Sequence, residues 1–313
     1  MTTLLEVQEL RVAFGETRAV DGISFRLAEG ETLGLVGESG CGKSTTALAL
    51  MGLLHDARLE GGARFGTQDL LRLDEAAMRR IRGAKIAMIF QDPGTALHPL
   101  IRVGDQVSEV LRQHLGLSAA AARLRALDLF RKVGIAAPEQ RLRAYPHELS
   151  GGMCQRVMIA AAIACSPRLL LADEPTTALD VTVQAQILEL IRAVSGEAGM
   201  AVILITHDLG VVAGMTDKVA VMYAGRIVET APTDELFAAP AHPYSRGLLG
   251  SVPKLDSGWD EDLPTIPGNV QTAVGAGGCR FAPRCPLASD ICRKEPALAP
   301  VADGHLVACW KAS

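Results

Sequence analysis

The chain has no excess of basic residues: its 31 lysines and arginines are outnumbered by 35 aspartates and glutamates, for a net charge of −4. A large nucleic-acid-binding surface usually needs the opposite balance, so we expect no nucleic acid partner. The longest uninterrupted apolar run, residues 157–165, is far shorter than the roughly 18 residues that span a bilayer. The first residues, with Glu6 and Glu9, lack the basic and apolar regions of a secretory signal. We therefore expect a cytosolic protein that reaches a membrane only through a partner.

Cysteine is scarce except near the end, where four of the seven residues lie after residue 278. Short Cys-x₂₋₄-Cys pairs, which are typical of structural zinc sites, are absent. The expected reducing compartment argues against structural disulfides. The four clustered residues are Cys279, Cys285, Cys292 and Cys309.

Apolar runs alternate with amphipathic stretches up to about Thr230, and most of the 16 prolines lie beyond it. This pattern predicts an α/β domain over residues 1–230 and a loop-rich extension over 231–313. Two N-terminal segments, 4–14 and 20–27, are typical of antiparallel strands. Residues 92–165 are typical of an inserted helical subdomain. Short apolar runs predict buried parallel strands at 32–36, 86–90, 169–172 and 202–205.

Residues 37–44 read Gly-Glu-Ser-Gly-Cys-Gly-Lys-Ser and match the phosphate-loop motif G-x-x-x-x-G-K-[ST] in full. The motif lies between a predicted strand and a predicted helix, where its backbone N–H groups can surround phosphate oxygens. Lys43 is placed to reach the β- and γ-phosphates of ATP, and Ser44 to ligate Mg²⁺. The residues expected to bind ATP here are Gly37, Ser39, Gly40, Cys41, Gly42, Lys43, Ser44 and Thr45.

The apolar run at 169–172 ends in two carboxylates, Asp173 and Glu174. Beside a phosphate loop, Asp173 is expected to hold Mg²⁺, and Glu174 to act as the general base for the attacking water. His207 follows the next strand and is placed to contact the γ-phosphate or to orient Glu174. Gln91 follows the strand at 86–90, where its amide could contact Mg²⁺ or water. The predicted catalytic residues are therefore Glu174, His207 and Gln91, and the predicted magnesium ligands are Ser44, Gln91 and Asp173.

A second glycine-containing helix start lies at residues 149–153, Leu-Ser-Gly-Gly-Met. Ser150 is a good N-cap, and Gly151 and Gly152 allow close approach of the backbone. One triphosphate rarely needs two anion-binding helix starts from the same chain. We therefore interpret these three residues as completing the ATP site of another subunit. The local alternative is an ordinary capped helix.

The order of these motifs resembles that of the ABC-transporter ATPases over about residues 4–230. The resemblance implies a P-loop NTPase fold of the ABC type, with an N-terminal antiparallel β subdomain and a helical insert. It also implies that Phe14 stacks on adenine. Two ATP molecules would lie between the phosphate loop and the signature, residues 149–153, in a head-to-tail dimer. The motifs that carry it are the phosphate loop, Gln91, residues 149–153, Asp173-Glu174, residues 177–180 (Thr-Ala-Leu-Asp) and His207.

Met153 and Thr177 depart from the commonest family pattern and point to a subfamily. Segments 91–99, 150–153, 221–229 and 242–249 resemble the oligopeptide/dipeptide importer ATPases. This resemblance implies a peripheral subunit on the cytoplasmic face of the inner membrane. Its implied partners are two transmembrane permease subunits, a second ATPase subunit in a heterodimer and, indirectly, an extracytoplasmic substrate-binding protein.

The alternatives concern cargo and class. Relatives of this subfamily also serve nickel, glutathione and some sugars, so cargo rests on the resemblance alone. A soluble ABC ATPase of DNA repair or translation would usually have a second cassette or a long coiled-coil insertion, and the sequence contains neither. A redox enzyme centred on the cysteines would need a substrate pocket that the sequence does not indicate.

The extension is also similar to that of the peptide-importer ATPases, some of which carry a [4Fe–4S] cluster. The resemblance implies a cluster on Cys279, Cys285, Cys292 and Cys309. It would staple a proline-rich segment that has little core. Zinc and four free thiols remain alternatives, because spacing alone does not decide between them. Basic residues that interleave with the cysteines could offset the charge of a cluster, namely Arg280, Arg284, Arg293 and Lys294.

Overall fold

The computed structural model describes residues 2–177, 179–252, 265–270 and 277–312. Predicted features at Ala178, at 253–264 and at 271–276 therefore lie outside the described residues. Within the described part, the strands are β1 (Thr3–Phe14), β2 (Thr17–Ala28), β3 (Thr32–Val36), β4 (Arg58–Phe65), β5 (Gln68–Asp69), β6 (Ile86–Ile89), β7 (Leu169–Asp173), β8 (Ala201–Thr206), β9 (Lys218–Tyr223), β10 (Arg226–Pro232), β11 (Ala299–Ala302) and β12 (His305–Val307).

The first helix of the described residues begins at Lys43, within the phosphate-loop motif. None of the described helices is both long and apolar enough to cross a membrane. They are α1 (Lys43–Leu50), α2 (Glu75–Ile81), α3 (Pro93–Ala96), α4 (Val103–Leu115), α5 (Ala119–Lys132), α6 (Pro138–Arg141), α7 (Gly151–Ile163), α8 (Val181–Ala198), α9 (Leu209–Met215), α10 (Thr233–Ala238) and α11 (Pro243–Gly250).

The chain folds as two units. The phosphate-loop unit comprises Thr3–Leu27, Thr32–Arg72 and Leu204–Ser313. The signature unit comprises Met1–Thr2, Ala28–Glu31 and Leu73–Ile203. The boundary falls within β8, so residues 201–203 belong to the signature unit and residues 204–206 to the phosphate-loop unit.

The N-terminal sheet of the phosphate-loop unit has the strand order β2-β1-β4-β5. β1 and β4 pair antiparallel, with Leu5 opposite Phe65. A bulge interrupts this ladder at Glu9, whose φ is +48°. Gly61 lies beside the bulge. Only glycine fits at this position, because a Cβ would come within 2.4 Å of the carbonyl oxygen of Glu9. The antiparallel β subdomain expected at the N-terminus is therefore confirmed.

The second sheet of this unit has the order β11-β12-β10-β9-β3. β3 runs parallel to β9, with Val36 opposite Val221. β9 and β10 form an antiparallel hairpin whose turn residues, Ala224 and Gly225, both have positive φ, as a two-residue turn requires. β12 pairs with β10, so the extension continues the sheet. The proline-rich composition of the extension did not predict its two strands, β11 and β12.

The extension also shares a hydrophobic core with the sheet. Tyr223 of β9, Tyr244 of α11 and Phe281 are buried, and their ring centroids lie 4.7 to 5.4 Å apart in tilted or edge-on contacts. Such geometry stabilises aromatic pairs beyond the area that they bury. His242 caps α11 by accepting a hydrogen bond from the backbone N–H of Tyr244, and burial lowers its pKa to about 4. A neutral, buried His242 therefore helps to fix the start of this helix.

In the signature unit, β6 and β7 run parallel, with Ile86 opposite Leu169. All of their residues are buried, which is typical of parallel strands covered on both faces. Together with β3 and β8, these strands occur where apolar runs predicted them, and each end lies within one residue of the prediction. The buried-strand prediction depended on short local patterns and is confirmed.

The chain between β6 and β7 is mainly helical, as expected for the insert. α5 begins after Ser118, whose hydroxyl accepts a hydrogen bond from the backbone N–H of Ala121. One face of α5 buries Ala122, Ala126 and Phe130. α5 thus has a capping residue at its start and one apolar face, as expected of a helix within the predicted helical insert.

Candidate functional site

The phosphate loop connects β3 to α1 within the phosphate-loop unit. Gly37, Gly40 and Gly42 all have positive φ, of 150°, 78° and 106°. A Cβ at Gly37 would lie 2.1 Å from the carbonyl oxygen of Met222, and one at Gly42 would lie 2.5 Å from that of Ala19. These two positions therefore exclude every larger residue, because the loop is packed against neighbouring backbone.

Lys43 is buried and closes the loop on itself. Its Nζ donates hydrogen bonds to the carbonyl oxygens of Gly37 at 2.7 Å and Glu38 at 3.0 Å. Cys41 is also buried, and burial raises the pKa of its thiol. Ser44 and Thr45 lie half-buried in the first turn of α1, whereas Ser39 and Gly40 are exposed at the tip. The predicted ATP-binding residues of this motif thus form one continuous structure.

Two further predicted residues belong to the same unit. Phe14 is the last residue of β1 and is exposed, as a ring that stacks on a ligand must be. His207 directly follows Thr206 at the end of β8 and is exposed. Asp208 then caps α9 by accepting a hydrogen bond from the backbone N–H of Gly210 at 2.8 Å. His207 is therefore held between a buried strand and a capped helix.

The predicted base and Gln91 meet within the signature unit. Asp173 is the buried last residue of β7, and Glu174 follows it with a φ of +45°. Left-handed backbone is uncommon outside glycine and is often found at functional sites. The Oε2 atom of Glu174 accepts hydrogen bonds from Gln91 Nε2 at 3.0 Å and from Thr177 Oγ1 at 2.9 Å.

The sequence indicates Thr177 as part of the 177–180 motif and as a departure from the family pattern, but not as a partner of Glu174. Its position three residues after Glu174 was the available signal, since a short loop after a strand can return a hydroxyl to the carboxylate. Ala178 of the same 177–180 motif lies outside the described residues. Asp180 caps α8 by accepting a hydrogen bond from the backbone N–H of Val183 at 2.9 Å. These hydrogen bonds thus fix Thr177 and the start of α8.

At the start of α7, Ser150 and Gly151 are exposed and Gly152 is half-buried. Ser150 is the N-cap, and its Oγ accepts a hydrogen bond from the backbone N–H of Met153. A Cβ at Gly152 would approach Cγ1 of Val183 within 2.8 Å. Gln155 is buried on the next turn and donates from Nε2 to the carbonyl oxygen of Pro175 at 2.6 Å. Sequence reasoning missed Gln155, which links the signature helix to the loop that carries Glu174.

The four cysteines of the extension line one small cavity of the phosphate-loop unit, together with Phe281 and Trp310. The backbone N–H of Cys279 donates to the carbonyl oxygen of Cys292 at 2.8 Å, and burial raises the pKa of the Cys279 thiol. Among the described residues, however, no group of three or more His, Cys, Asp or Glu side chains is arranged to hold a metal ion. The cysteines converge as predicted, but a preformed metal site is not supported.

Two of the bases expected to offset a cluster have other partners in this unit. Arg280 donates hydrogen bonds to the carboxylate of buried Asp21 and to the carbonyl oxygen of Ala224. Arg284 donates to Glu38 of the phosphate loop at 3.0 Å. Each of these guanidinium groups therefore pairs with an acidic residue, and the idea that they could offset the charge of a cluster stays a prediction.

Comparison with known proteins places this geometry in a family. Residues 20–177 match the ABC transporter family, and residues 228–292 match the C-terminal region of the oligopeptide/dipeptide transporter family. The chain is 52% identical to the oligopeptide transport ATP-binding protein OppD of Salmonella typhimurium, over 98% of this chain and 93% of that protein. The chain belongs to the ABC transporter ATP-binding family. It is therefore an ABC-type ATPase, as the motifs predicted.

Other comparisons agree with this assignment. The ABC ATPase is 50% identical to the dipeptide transport ATP-binding protein DppD of Bacillus subtilis, over 99% of this chain and 95% of that protein. A dimeric structure of the ATP-binding cassette MJ0796, in a post-hydrolysis state with ADP and Pi, matches with a TM-score of 0.66 and 28% identity. That match covers 73% of this chain and 98% of the cassette. The ABC cassette fold predicted from the sequence is confirmed.

Proposed function

We propose that this ABC ATPase powers the uptake of dipeptides or oligopeptides through partner permease subunits. The observation that carries the proposal is the match of residues 228–292 to the C-terminal region of oligopeptide/dipeptide transporters. Two relatives at 52% and 50% identity, named for oligopeptide and dipeptide transport, support the same cargo. In this proposal, residues 1–230 form the ATPase domain and residues 231–313 form the importer-type extension.

In the proposed transporter, this chain is a peripheral subunit on the cytoplasmic face of the inner membrane. Two permease subunits would cross the membrane, a second ATPase would form a heterodimer with this chain, and a substrate-binding protein would deliver cargo outside. The helical insert, about residues 92–165, would pass the motion of the ATPase pair to the permeases. Peripheral attachment through partners is consistent with the described helices, none of which is suited to span a bilayer.

Purification of this chain from detergent-solubilised membranes should recover two multi-span proteins and a second ATPase. Reconstituted with a substrate-binding protein, the complex should accumulate labelled peptide only when ATP is present. Nickel and glutathione, tested in the same vesicles, serve as the competing cargoes. ATP hydrolysis without peptide uptake, but with uptake of nickel or glutathione, would overturn the peptide assignment and keep the ATPase assignment.

The proposed phosphate site uses the loop of this chain. Backbone N–H groups of residues 37–45 would surround the phosphates at the start of α1, where the helix dipole favours anions. The Lys43 ammonium would turn from its loop carbonyls to the β- and γ-phosphates. Phe14 would stack on the adenine ring, because its exposed position at the end of β1 leaves an aromatic face accessible.

The proposed hydrolytic residues are those at the strand ends. The Ser44 hydroxyl, Asp173 carboxylate and Gln91 amide are hard oxygen donors of the kind that Mg²⁺ prefers, so the donor set fits this ion. When bound, Mg²⁺ would supply charge neutralisation at the phosphate oxygens. Glu174 would take a proton from the attacking water, and Gln91 and Thr177 orient its carboxylate. His207 would contact the γ-phosphate.

The proposed role of Ser150, Gly151 and Gly152 is to complete the ATP site of the partner ATPase. These residues are exposed or half-buried at the first turn of α7, where unpaired backbone N–H groups can face an anion. The head-to-tail pairing implied by family resemblance would bring this turn against the partner's phosphate loop. Each ATP would then be bound by two chains.

We also propose that Cys279, Cys285, Cys292 and Cys309 hold a [4Fe–4S] cluster with a structural role. The proposal is supported by their position around one cavity and by the thiolate chemistry that iron–sulfur clusters require. Side-chain movement would be needed, since the described residues contain no group already arranged for a metal ion. Four metal–thiolate bonds would offset the entropy of ordering a proline-rich segment.

Protein purified without oxygen should be brown, with absorption at about 400 nm and about four irons per chain. Replacement of any one of the four cysteines with serine should bleach it, whereas Cys165→Ser, outside the extension, should not. Nucleotide binding should survive the bleaching. A colourless preparation with one zinc per chain would eliminate iron, and four freely titrating thiols in the native protein would eliminate any metal.

A further inference from the structure

Two side chains of the C-terminal extension contact the phosphate loop at one residue, Glu38. The hydroxyl oxygen of Tyr244 accepts a hydrogen bond from the backbone N–H of Glu38 at 2.9 Å. Nη1 of Arg284 donates to Oε2 of Glu38 at 3.0 Å. The carbonyl oxygen of Glu38 accepts from Nζ of Lys43. Glu38 therefore connects the extension directly to the phosphate-loop lysine.

Arg284 is held rigidly enough to position what it contacts. Its side chain is only 5% exposed, although an arginine is rarely buried without several partners. Nε donates to the carbonyl oxygen of Pro267 at 2.7 Å, and Nη2 to that of Ile266 at 3.2 Å. The guanidinium carbon lies 5.7 Å from the ring centre of Tyr223. Nη1 donates to Glu38 and, at 3.4 Å, to the hydroxyl oxygen of Tyr223.

Tyr244 is similarly fixed. Its side chain is completely buried, and its ring packs on Tyr223 with centroids 4.7 Å apart. Burial raises the pKa of the phenol, so the hydroxyl stays neutral and can accept from the Glu38 N–H. Removing this acceptor would leave a backbone donor of the phosphate loop without its partner, which is costly when the group is not solvated.

Because Glu38 is negatively charged, its ion pair with Arg284 should affect ATP binding as well as the packing of the extension. A carboxylate on the second residue of a phosphate loop places negative charge close to a polyanionic ligand, and like charges at short range repel. The Glu38 side chain is 30% exposed, and its carboxylate forms a salt bridge with buried Arg284. Arg284 thus both neutralises this carboxylate and holds it to one side.

We propose that Arg284 and Tyr244 are positioning residues for nucleotide binding, which act on the phosphate loop through Glu38. Arg284 cancels the charge of the carboxylate, and Tyr244 fixes the adjacent peptide. The loop then presents its N–H groups in one geometry before ATP arrives, so less binding energy is lost to ordering it. The extension would in this way set the affinity of the ATPase for ATP, in addition to any role in assembly.

The test is the dissociation constant of a fluorescent ATP analogue on the isolated full-length chain. Arg284→Gln and Tyr244→Phe should each weaken binding by about tenfold, since each leaves a polar partner in the loop uncompensated. Arg284→Lys, which keeps the charge, should lose less than Arg284→Gln. In the assembled transporter, KM for ATP should rise for all three while kcat stays near the wild-type value.

The decisive variant is the double substitution Arg284→Gln with Glu38→Gln. It should recover most of the affinity that Arg284→Gln loses, because the carboxylate that needed neutralising is gone. His305→Gln is the matched control: His305 contacts buried Glu229 and docks β12 on β10. It should lower the unfolding temperature without changing nucleotide affinity. The proposal would be overturned if the His305→Gln control lost as much affinity as Arg284→Gln, or if the double variant recovered none. Either result would mean that Arg284 only holds the extension in place.

Discussion

Replacing Glu174 with glutamine should almost abolish ATP hydrolysis while ATP still binds. Glutamine has nearly the same shape and can still accept a hydrogen bond from Gln91 or Thr177, but it cannot take a proton from water. General-base catalysis contributes about 10²–10⁴-fold, so steady-state phosphate release should fall by that factor. Binding of a fluorescent ATP analogue, measured on the same preparation, should stay within a few-fold of wild type.

A matched control is Glu189→Gln, which removes an exposed carboxylate from α8 of the same unit. It should leave phosphate release unchanged. Turnover of the Glu174→Gln protein within a few-fold of wild type would show that another group activates the water. If both binding and turnover were lost, Glu174 would be required for the structure of the site, and its assignment as the base would not stand.

Lys43→Ala should remove nucleotide binding itself. Lys43 is the buried cation of the phosphate loop, and its ammonium is expected to neutralise phosphate charge in the bound state. Truncating one member of a buried, hydrogen-bonded charge pair typically weakens binding by about 100-fold or more. Titration of the isolated chain with the fluorescent ATP analogue measures this loss directly, and hydrolysis by the assembled transporter should fall with it.

Ser150→Arg provides the contrast that separates the two halves of the proposed composite site. In the isolated chain it should leave binding of the analogue intact, because the signature is proposed to serve the partner's ATP. In the assembled transporter it should still reduce hydrolysis, since the arginine would block the partner's site. Loss of binding in the isolated Ser150→Arg chain would mean that the signature serves its own nucleotide.

Local chemistry made much of the candidate site predictable. The glycines at 37, 40 and 42 predict positive φ angles and close backbone contact, and all three have a positive φ in the structure. Asp173 and Gln91 could be placed because a short apolar run that ends in polar residues predicts a buried strand and its carboxyl end. The hydrogen bond from Thr177 to Glu174 could have been anticipated only with the loop geometry in hand.

The structure of the extension could not be predicted from local sequence patterns. Its prolines and few apolar residues indicated loops, yet β11 and β12 continue the sheet and Phe281 joins the buried aromatic contacts. Strand pairing at a sheet edge depends on a partner elsewhere in the chain, so a short run such as His305–Val307 carries little signal of its own. For the same reason, the local sequence carries no signal that Arg280 pairs with Asp21 or that Arg284 pairs with Glu38.

The sequence by itself determined the ATPase motifs, the positions of the buried strands along the chain and the family, because each depends on residues that are adjacent or regularly spaced. Tertiary structure alone decided that Arg284 pairs with Glu38, 246 residues away along the chain, and that four dispersed cysteines line one cavity. The physical reason is that charge pairing and burial act through space. A spacing rule can identify a phosphate loop, but only the packed chain shows which side chains support it.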